Sequence, residues 1–341
     1  MNFIRRILGY SGKKVVCPRC LERIGVKEDQ AKLCDNCGWG IPLQYIRSFD
    51  EAPPIFIQVF GWTNHGKTLF LDTLRLVLMD MHAVWDNFRY QSFTQMDMEK
   101  ERELQAERRR GILAAGTQRR ERDQNEVYIM NLRGMERWGS RMLVVMDHPG
   151  EYFENFSVPV KEIPFLINTP TTIMLISLPD IVDDSKNSAG ERIDQLFQIY
   201  LAALENEGVN WKKERRKLIV VLTKADITAG MPQNMRNYLM EDNIWRSIES
   251  NTRMNPLDSI AVAEYLERME RVSNDIRHWI RSDRKNVPGG ANFINLIDDY
   301  NIDARFTIMS ATGGEVEQGG INISPRRVLD PFFWALEFQS R

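Results

Sequence analysis

The chain has 341 residues, of which 43% are hydrophobic and 27% are charged, and its formal net charge is −2. This composition is typical of a soluble globular protein, and the near-neutral charge does not indicate a nucleic-acid partner. The sequence contains no run of about 18 apolar residues and no secretory signal, so it predicts neither a membrane-spanning helix nor export. We therefore expect a cytoplasmic protein with one large domain and a small additional module.

Four cysteines form two close pairs, Cys17 with Cys20 and Cys34 with Cys37, and the remaining sequence has none. Each C-x-x-C pair can supply two thiolates from one tight turn, and two such pairs complete a tetrahedral metal site. Four thiolates without a histidine favour structural zinc, although an iron centre of the rubredoxin type uses the same ligands. We predict a zinc ribbon over residues 1–50, which has no open coordination position for catalysis and could dock a partner.

After Pro54 the pattern changes to alternating strands and helices. Apolar, β-branched runs predict buried strands, and longer periodic runs predict helices between them. The predicted strands lie at 54–61, 125–134, 141–150, 171–180, 217–226 and 304–314, and the principal helices at 67–85, 94–112, 191–206, 258–282 and 325–338. This alternation predicts an α/β fold with a mostly parallel sheet and helices on both faces. We expect this domain to span 54–341, with helical insertions at about 86–120 and 243–300.

The stretch GWTNHGKT at 61–68 fits the pattern G-x-x-x-x-G-K-[ST] and lies between a predicted strand and a predicted helix. Gly61 and Gly66 allow the backbone to curve around phosphate oxygens, and the amides at the start of the helix point at the anion. Lys67 would neutralise charge on the outer phosphates, and the hydroxyl of Thr68 would bind Mg²⁺. The sequence therefore predicts a nucleoside triphosphate site. The other residues predicted to line it are Asn64, His65 and Leu69.

Three later segments at the ends of predicted strands indicate which nucleotide binds. In DHPG, Asp147 can reach magnesium through water, and the amide of Gly150 can contact the outermost phosphate. In TKAD, Asp226 can accept two hydrogen bonds from the guanine edge, which adenine does not offer, while Lys224 lies along the base. An amide of the segment SAT at 310–312 can donate to the guanine oxygen. Carboxyl ends of parallel strands meet at one sheet edge, so we predict one site for GTP or GDP. The residues predicted at the base are Thr223, Lys224, Asp226, Ser310, Ala311 and Thr312.

The ordered set GWTNHGKT, DHPG, TKAD and SAT resembles the TRAFAC class of P-loop GTPases over roughly residues 54–341. The resemblance implies a Ras-like fold, Mg²⁺ as cofactor and hydrolysis of GTP. Thr223 replaces the more usual asparagine, and Glu151 stands where Ras-like proteins have a glutamine that orients the attacking water. A carboxylate beside a phosphate is electrostatically unfavourable, which argues against Glu151. His148 could polarise the water instead, although a loop histidine more often makes a surface hydrogen bond.

The first switch of such a GTPase needs a threonine between the first helix and the second strand. We predict Thr117 for this role, and Thr94 is the alternative. The threonine would close over magnesium when the third phosphate is present. The predicted catalytic residues are Lys67, Thr117, Gly150, His148 and Glu151.

Asn64 gives the phosphate loop the order N-x-G-K-T, which resembles the loops of GTPases activated by potassium. In those proteins the asparagine helps to hold a monovalent cation beside the phosphates. Such an ion would take the place of an arginine finger and offset developing charge. An asparagine that only favours a left-handed turn is the simpler explanation. Potassium is thus a candidate cofactor beside magnesium and zinc.

A zinc ribbon joined to a TRAFAC domain that ends in PRRVLDPFFWAL resembles the bacterial double-GTPase families. Those families are predicted to act as paired GTPases in bacterial conflict or defence systems. The resemblance implies a regulatory switch that works with a second GTPase or an effector. The alternative is a scaffold that holds GTP without hydrolysing it and docks partners through its ribbon. An ATPase is a third hypothesis, which nucleotide competition would decide.

Overall fold

The computed structural model describes residues 13–109, 126–147, 168–182, 193–206, 208–211, 213–227, 230–250, 257, 259–283, 285–314 and 323–340. The strands of its central sheet are β5 Pro54–Phe60, β6 Arg89–Ser92, β7 Glu126–Met135, β8 Gly139–Asp147, β9 Thr171–Ser177, β10 Lys217–Thr223 and β11 Asp303–Ile308. They lie in the order β11-β10-β9-β5-β8-β7-β6. The pairs from β11 to β8 are parallel, whereas β7 is antiparallel to both of its neighbours. The predicted α/β fold with a mostly parallel sheet is confirmed.

Ten α-helices lie in the part of the chain that the structure describes. They are α1 Leu43–Ser48, α2 Lys67–Asp80, α3 Gln95–Arg109, α4 Leu178–Val182, α5 Ile193–Asn206, α6 Gln233–Met240, α7 Ile244–Glu249, α8 Ser259–Ser282, α9 Gly290–Asp299 and α10 Asp330–Ser340. Helix α10 packs against four strands of the sheet and buries Phe332, Phe333 and Trp334. None of the described helices combines the length and the hydropathy that crossing a bilayer requires.

Several elements differ from the sequence-based expectation, among them the following three. The region at 86–120, predicted as a helical insertion, begins with the edge strand β6, which pairs with β7. Its sequence RYQS lacks an apolar run because an edge strand is hydrogen-bonded on one side only and stays partly exposed. The predicted helix at 67–85 ends at Asp80 and continues as the 3₁₀ turn Met81–Ala83. The predicted strand at 304–314 ends at Ile308 because the following residues form a turn.

The cysteine-bearing segment forms two small hairpins that lie on one face of the sheet. The hairpins consist of β1 Lys13–Val16 with β2 Arg23–Val26 and β3 Lys32–Leu33 with β4 Gly40–Ile41. Their apolar side chains share one buried cluster with every second residue of β7 and β8. The sheet residues in this cluster are Val127, Ile129, Met142, Val144 and Met146. The intervening residues of β7 and β8 belong to the main core, so the segment forms an extra layer on the sheet.

Candidate functional site

The loop between β5 and α2 has a backbone shape that suits its residues. A Cβ atom at Gly61 would lie 2.7 Å from the carbonyl oxygen of Leu175, so the loop passes β9 too closely for a side chain. Asn64 and Gly66 have φ angles of 65° and 85°, the left-handed region that asparagine and glycine tolerate best. These turns bring the amino end of α2, with its amide groups, to the carboxyl end of β5. The loop shape fits an anion site.

Lys67 arches back over this loop. Its Nζ donates hydrogen bonds to the carbonyl oxygens of Gly61, over 2.7 Å, and of Trp62, over 2.8 Å. The side chain is buried, so a positive charge is held beside the loop. Thr68 follows in the first turn of α2, and Asp147 is the last residue of β8, in register with Val59 of β5. The predicted lysine and the two predicted magnesium ligands thus come from adjoining elements.

The side chain of His65 turns inward from the phosphate loop. Its Nδ1 lies 2.9 Å from the carbonyl oxygen of Leu175 in β9, and its Nε2 lies 3.9 Å from a carboxylate oxygen of Asp180 in α4. Only 2% of the residue is exposed. The imidazole therefore anchors the loop to β9.

Thr223 connects the guanine box to the phosphate loop. Its Oγ1 donates to the carbonyl oxygen of His65 over 3.0 Å and lies 3.3 Å from the carbonyl oxygen of Ile176. This buried threonine ends β10, immediately before Lys224, whose φ is 56°. The hydroxyl supplies a rigid link between the two loops, a role that the sequence motif alone does not reveal.

The TKAD and SAT segments adjoin each other. Asp226 lies half-buried in the 3₁₀ turn Ala225–Ile227. The amide of Ala225 donates to the carbonyl oxygen of Met309, the residue before SAT, over 3.2 Å. In SAT, the hydroxyl of Ser310 accepts a hydrogen bond from the amide of Gly313 over 2.7 Å. The structure thereby brings the predicted base-binding residues, including Ala311 and Thr312, to the end of neighbouring strands.

Of the residues predicted for the switches, only Thr94 and Asp147 lie within the described part of the chain. Thr117, His148, Gly150 and Glu151 lie outside the described residues. Thr94 precedes α3, and its hydroxyl both donates to the Asp97 carboxylate over 2.6 Å and accepts from the Asp97 amide over 2.9 Å. These bonds identify Thr94 as the N-cap of α3.

The four cysteine side chains converge. The Sγ atoms of Cys17 and Cys37 are 3.7 Å apart, those of Cys20 and Cys34 are 3.6 Å apart, and all four lie within 4.8 Å of one another. A tetrahedron with Zn–S bonds of about 2.3 Å has edges of about 3.8 Å, so this cluster fits a metal.

The pKa values of the thiols differ within the cluster. Burial works against the thiolate of Cys34, but the amides of Cys37 and Asn36 donate to it and lower its pKa to about 7. Burial raises the pKa of Cys17, despite amide donors from Cys20 and Arg19. A bound cation would offset the cost of burying a thiolate, because the thiolate is the form of cysteine that binds metal.

Comparison with solved structures finds likeness to GTPase folds. The GTPase-like domain of S. cerevisiae Ski7 has 14% identity in two structures. The one bound to GDP and inorganic phosphate has a TM-score of 0.38 and covers 87% of this chain and 52% of that chain. The one bound to GTP has a TM-score of 0.39 and covers 86% and 52%. This chain thus spans about half the length of those chains. The signal recognition particle receptor SRb-GTP/SRX complex from Chaetomium thermophilum has 7% identity, a TM-score of 0.35 and coverages of 83% and 98%.

Comparison at the level of sequence identifies the family of this chain. Comparison with curated proteins finds no match. In contrast, the family described as Double-GTPase 2 matches residues 55–278, which is more than half of the 341 residues. The match begins at the second residue of β5 and includes the phosphate loop, Asp147 and the TKAD box. The chain therefore belongs to the Double-GTPase 2 family.

Proposed function

We propose that this protein binds GTP and GDP and hydrolyses GTP with Mg²⁺ as a regulatory switch. The observation that carries the proposal is the connection among three strand ends. Thr223 of β10 bonds to His65 in the phosphate loop, and Ala225 bonds to Met309 at the end of β11. One nucleotide could therefore contact the phosphate loop and both base segments at once.

The proposed phosphate contacts come from the loop at 61–68 and the first turn of α2. Its amides and Lys67 would bind the phosphates, while Thr68 and Asp147 would hold Mg²⁺, directly or through water. The ion would neutralise charge on the phosphate oxygens when bound. Leu69 would contribute its backbone at the start of α2.

The proposed base contacts are Asp226 and Lys224, with an amide of the segment at 310–312 at the guanine oxygen. A carboxylate matches the two N–H donors on the guanine edge and would repel the acceptor that adenine presents there. These two segments are therefore expected to select GTP over ATP.

The proposed switch would involve Thr117 and Gly150, which would respond to the third phosphate. Hydrolysis is expected to be slow because Glu151 occupies the position of the water-orienting glutamine, although His148 could assist. The same substitution favours the second candidate, a scaffold that binds GTP without hydrolysis and docks partners through its ribbon.

Further parts of the proposal rest on resemblance to the double-GTPase families. They are a second GTPase or an effector as partner and a role in a bacterial conflict system. The proposed cytoplasmic location rests instead on the paired cysteines, which are typical of metal binding in a reducing compartment. The ribbon at 1–50 and the GTPase domain at 54–341 remain the proposed domains, with zinc as the structural ion.

The deciding experiment measures binding of labelled GTP and release of phosphate by the purified chain. Lys67→Ala removes a charge-assisted contact and is expected to weaken GTP binding about 10- to 100-fold. Lys285→Ala, which removes an exposed lysine between α8 and α9, is the matched control.

Four outcomes separate the hypotheses. Binding with phosphate release that Lys67→Ala abolishes supports the switch, and binding without release supports the scaffold. Competition by ATP at equal concentration supports the ATPase. Asp226→Asn should shift preference toward xanthine nucleotides, and the absence of such a shift would refute the base assignment.

A further inference from the structure

A second chain segment runs along the outer edge of the SAT loop. Ser310 and Arg326 exchange two backbone hydrogen bonds of 2.8 and 3.1 Å, as in an antiparallel bridge. The amide of Ser324 donates to the carbonyl oxygen of Thr312 over 2.7 Å. The position of the SAT loop therefore depends on the segment at 323–329, which leads into α10.

The side chain of Arg326 ties this segment to α6. One guanidinium nitrogen, Nη1, donates to the carbonyl oxygens of Met240 and Asp242, each over 3.1 Å. Met240 is the last residue of α6, where carbonyl groups lack partners within the helix and a positive charge is favoured. Arg326 thus caps a helix with its side chain while its backbone holds Ser310.

The next residue, Arg327, fixes the same segment from its buried side. Its φ is 57° and it is 2% exposed. Its Nε donates to the carbonyl oxygen of Tyr238 over 2.8 Å, its guanidinium stacks 3.7 Å from the centre of the Tyr238 ring, and its amide donates to the Asp242 carboxylate. The segment therefore has little freedom to shift along α6.

Asp330 closes the connection back to the strand that carries the SAT loop. Its carboxylate accepts hydrogen bonds from Tyr238 and Tyr265, each over 2.6 Å, and from Thr307 of β11 over 2.7 Å. Burial raises the pKa of Asp330, and it also raises the pKa values of both tyrosines, so they remain hydrogen-bond donors. Asp330 thereby ties the start of α10 to β11.

Helix α6 adjoins both segments of the proposed base site. It packs against the 3₁₀ turn that carries Asp226, and its last carbonyl accepts from Arg326. A displacement of the segment at 323–329 would move SAT relative to Asp226. Arg326 is half-buried, whereas Arg327 is buried. In this geometry Arg326 is therefore the accessible residue that controls the position of the segment at 323–329.

We propose that Arg326 is a positioning residue for the guanine site. It holds the SAT loop where an amide meets the 6-oxo group of the base, and so it sets selectivity for that group. The inference rests on the proposed function, because it presupposes guanine nucleotide binding. Arg326 itself does not touch the nucleotide in this proposal.

The test compares GTP with the triphosphate of 2-aminopurine riboside, which lacks the 6-oxo group and the N1–H donor but keeps the 2-amino group. We measure the dissociation constants of both for the full chain and for Arg326→Ala. GTP affinity should fall about fivefold, the scale of one hydrogen bond. Affinity for the analogue should change less than twofold. Arg281→Ala, an exposed arginine of α8, is the matched control.

Arg326→Lys keeps the positive charge with a shorter reach, and it should show the same selective loss to a smaller extent. Its measurement decides the question if Arg326→Ala does not fold. Equal losses for both nucleotides would mean that Arg326 acts only on stability, and unchanged GTP affinity would mean that it does not position the loop. Either result overturns the inference. Failure of the unmodified chain to prefer GTP over the analogue would instead refute the proposed guanine site.

Discussion

The hydroxyl of Thr223 donates a hydrogen bond to the carbonyl oxygen of His65 over 3.0 Å, across 158 residues of sequence. His65 is in turn held to β9 through the Leu175 carbonyl. The end of β10, the phosphate loop and β9 are thus connected by two side chains that do not themselves reach toward solvent. A threonine at this position therefore preserves a rigid relationship between the phosphate and base segments.

Thr223→Val should show how much this hydrogen bond contributes to stability and to GTP binding. The change keeps the branched shape but removes the only donor that the side chain offers, which costs about 1 kcal/mol of unfolding free energy. We expect GTP affinity to fall about fivefold in a binding titration, because the phosphate loop loses its fixed position. Thr223→Ser retains the hydroxyl and should bind nearly as well as the unmodified chain. Equal affinities for the valine and serine variants would show that the link is unimportant for binding.

Substitution of Asn64 separates two explanations for this residue, which are potassium binding and a purely conformational role. Its φ of 65° already explains an asparagine there, since this residue tolerates left-handed backbone. Asn64→Gly keeps the conformation but removes the side-chain oxygen that would bind the ion. If potassium assists, the unmodified chain should hydrolyse GTP at least about tenfold faster in potassium than in sodium chloride, and the glycine variant should lose this difference. Equal rates in both salts for the unmodified chain would exclude the ion.

Thr94 and Thr117 should respond differently to substitution. The Thr94 hydroxyl caps α3 through Asp97, so Thr94→Ala should lower the unfolding free energy by about 1 kcal/mol and leave hydrolysis within about twofold. Thr117→Ala should lower magnesium-dependent hydrolysis about 100-fold if it is the first switch. Denaturant unfolding and phosphate release are measured on both variants, with Thr94→Ser as the matched control. Loss of hydrolysis only in Thr94→Ala would reverse the assignment.

Local patterns were sufficient to predict the α/β fold and its glycine-rich loop. The run PIFIQVF is apolar enough to indicate a buried strand, and GWTNHGKT needs no distant partner to be recognised. Strand β6 was missed because RYQS carries neither an apolar run nor strict alternation. An edge strand draws its stability from pairing, which its own residues do not report.

Relationships between distant segments could not be read from the sequence. The bond between Thr223 and His65 depends on the packing of β10 beside β9, and the bridge between Ser310 and Arg326 depends on the return of the chain to the sheet edge. The four cysteines predicted a metal site, but no local pattern showed that their hairpins cover β7 and β8. The apolar alternation of these strands fits burial against any layer.

Removal of the ribbon metal should therefore affect the central sheet as well as the ribbon. Without a metal the four thiolates repel or protonate, and the hairpins lose the constraint that holds a small apolar cluster against Ile129 and Val144. We expect chelation, or Cys20→Ala, to lower the melting temperature and to increase hydrogen exchange in β7 and β8. Elemental analysis of the purified chain distinguishes zinc from iron.

The control is Tyr45→Phe, which removes the 2.7 Å hydrogen bond from Tyr45 to the Val16 carbonyl but leaves all four thiols. This variant should lose about 1 kcal/mol of unfolding free energy and retain its metal. Increased exchange confined to residues 13–50 after chelation would show that the ribbon unfolds alone and does not stabilise the sheet. Exchange that extends through β8 to Asp147 would link metal content to the proposed magnesium site, because Asp147 ends that strand.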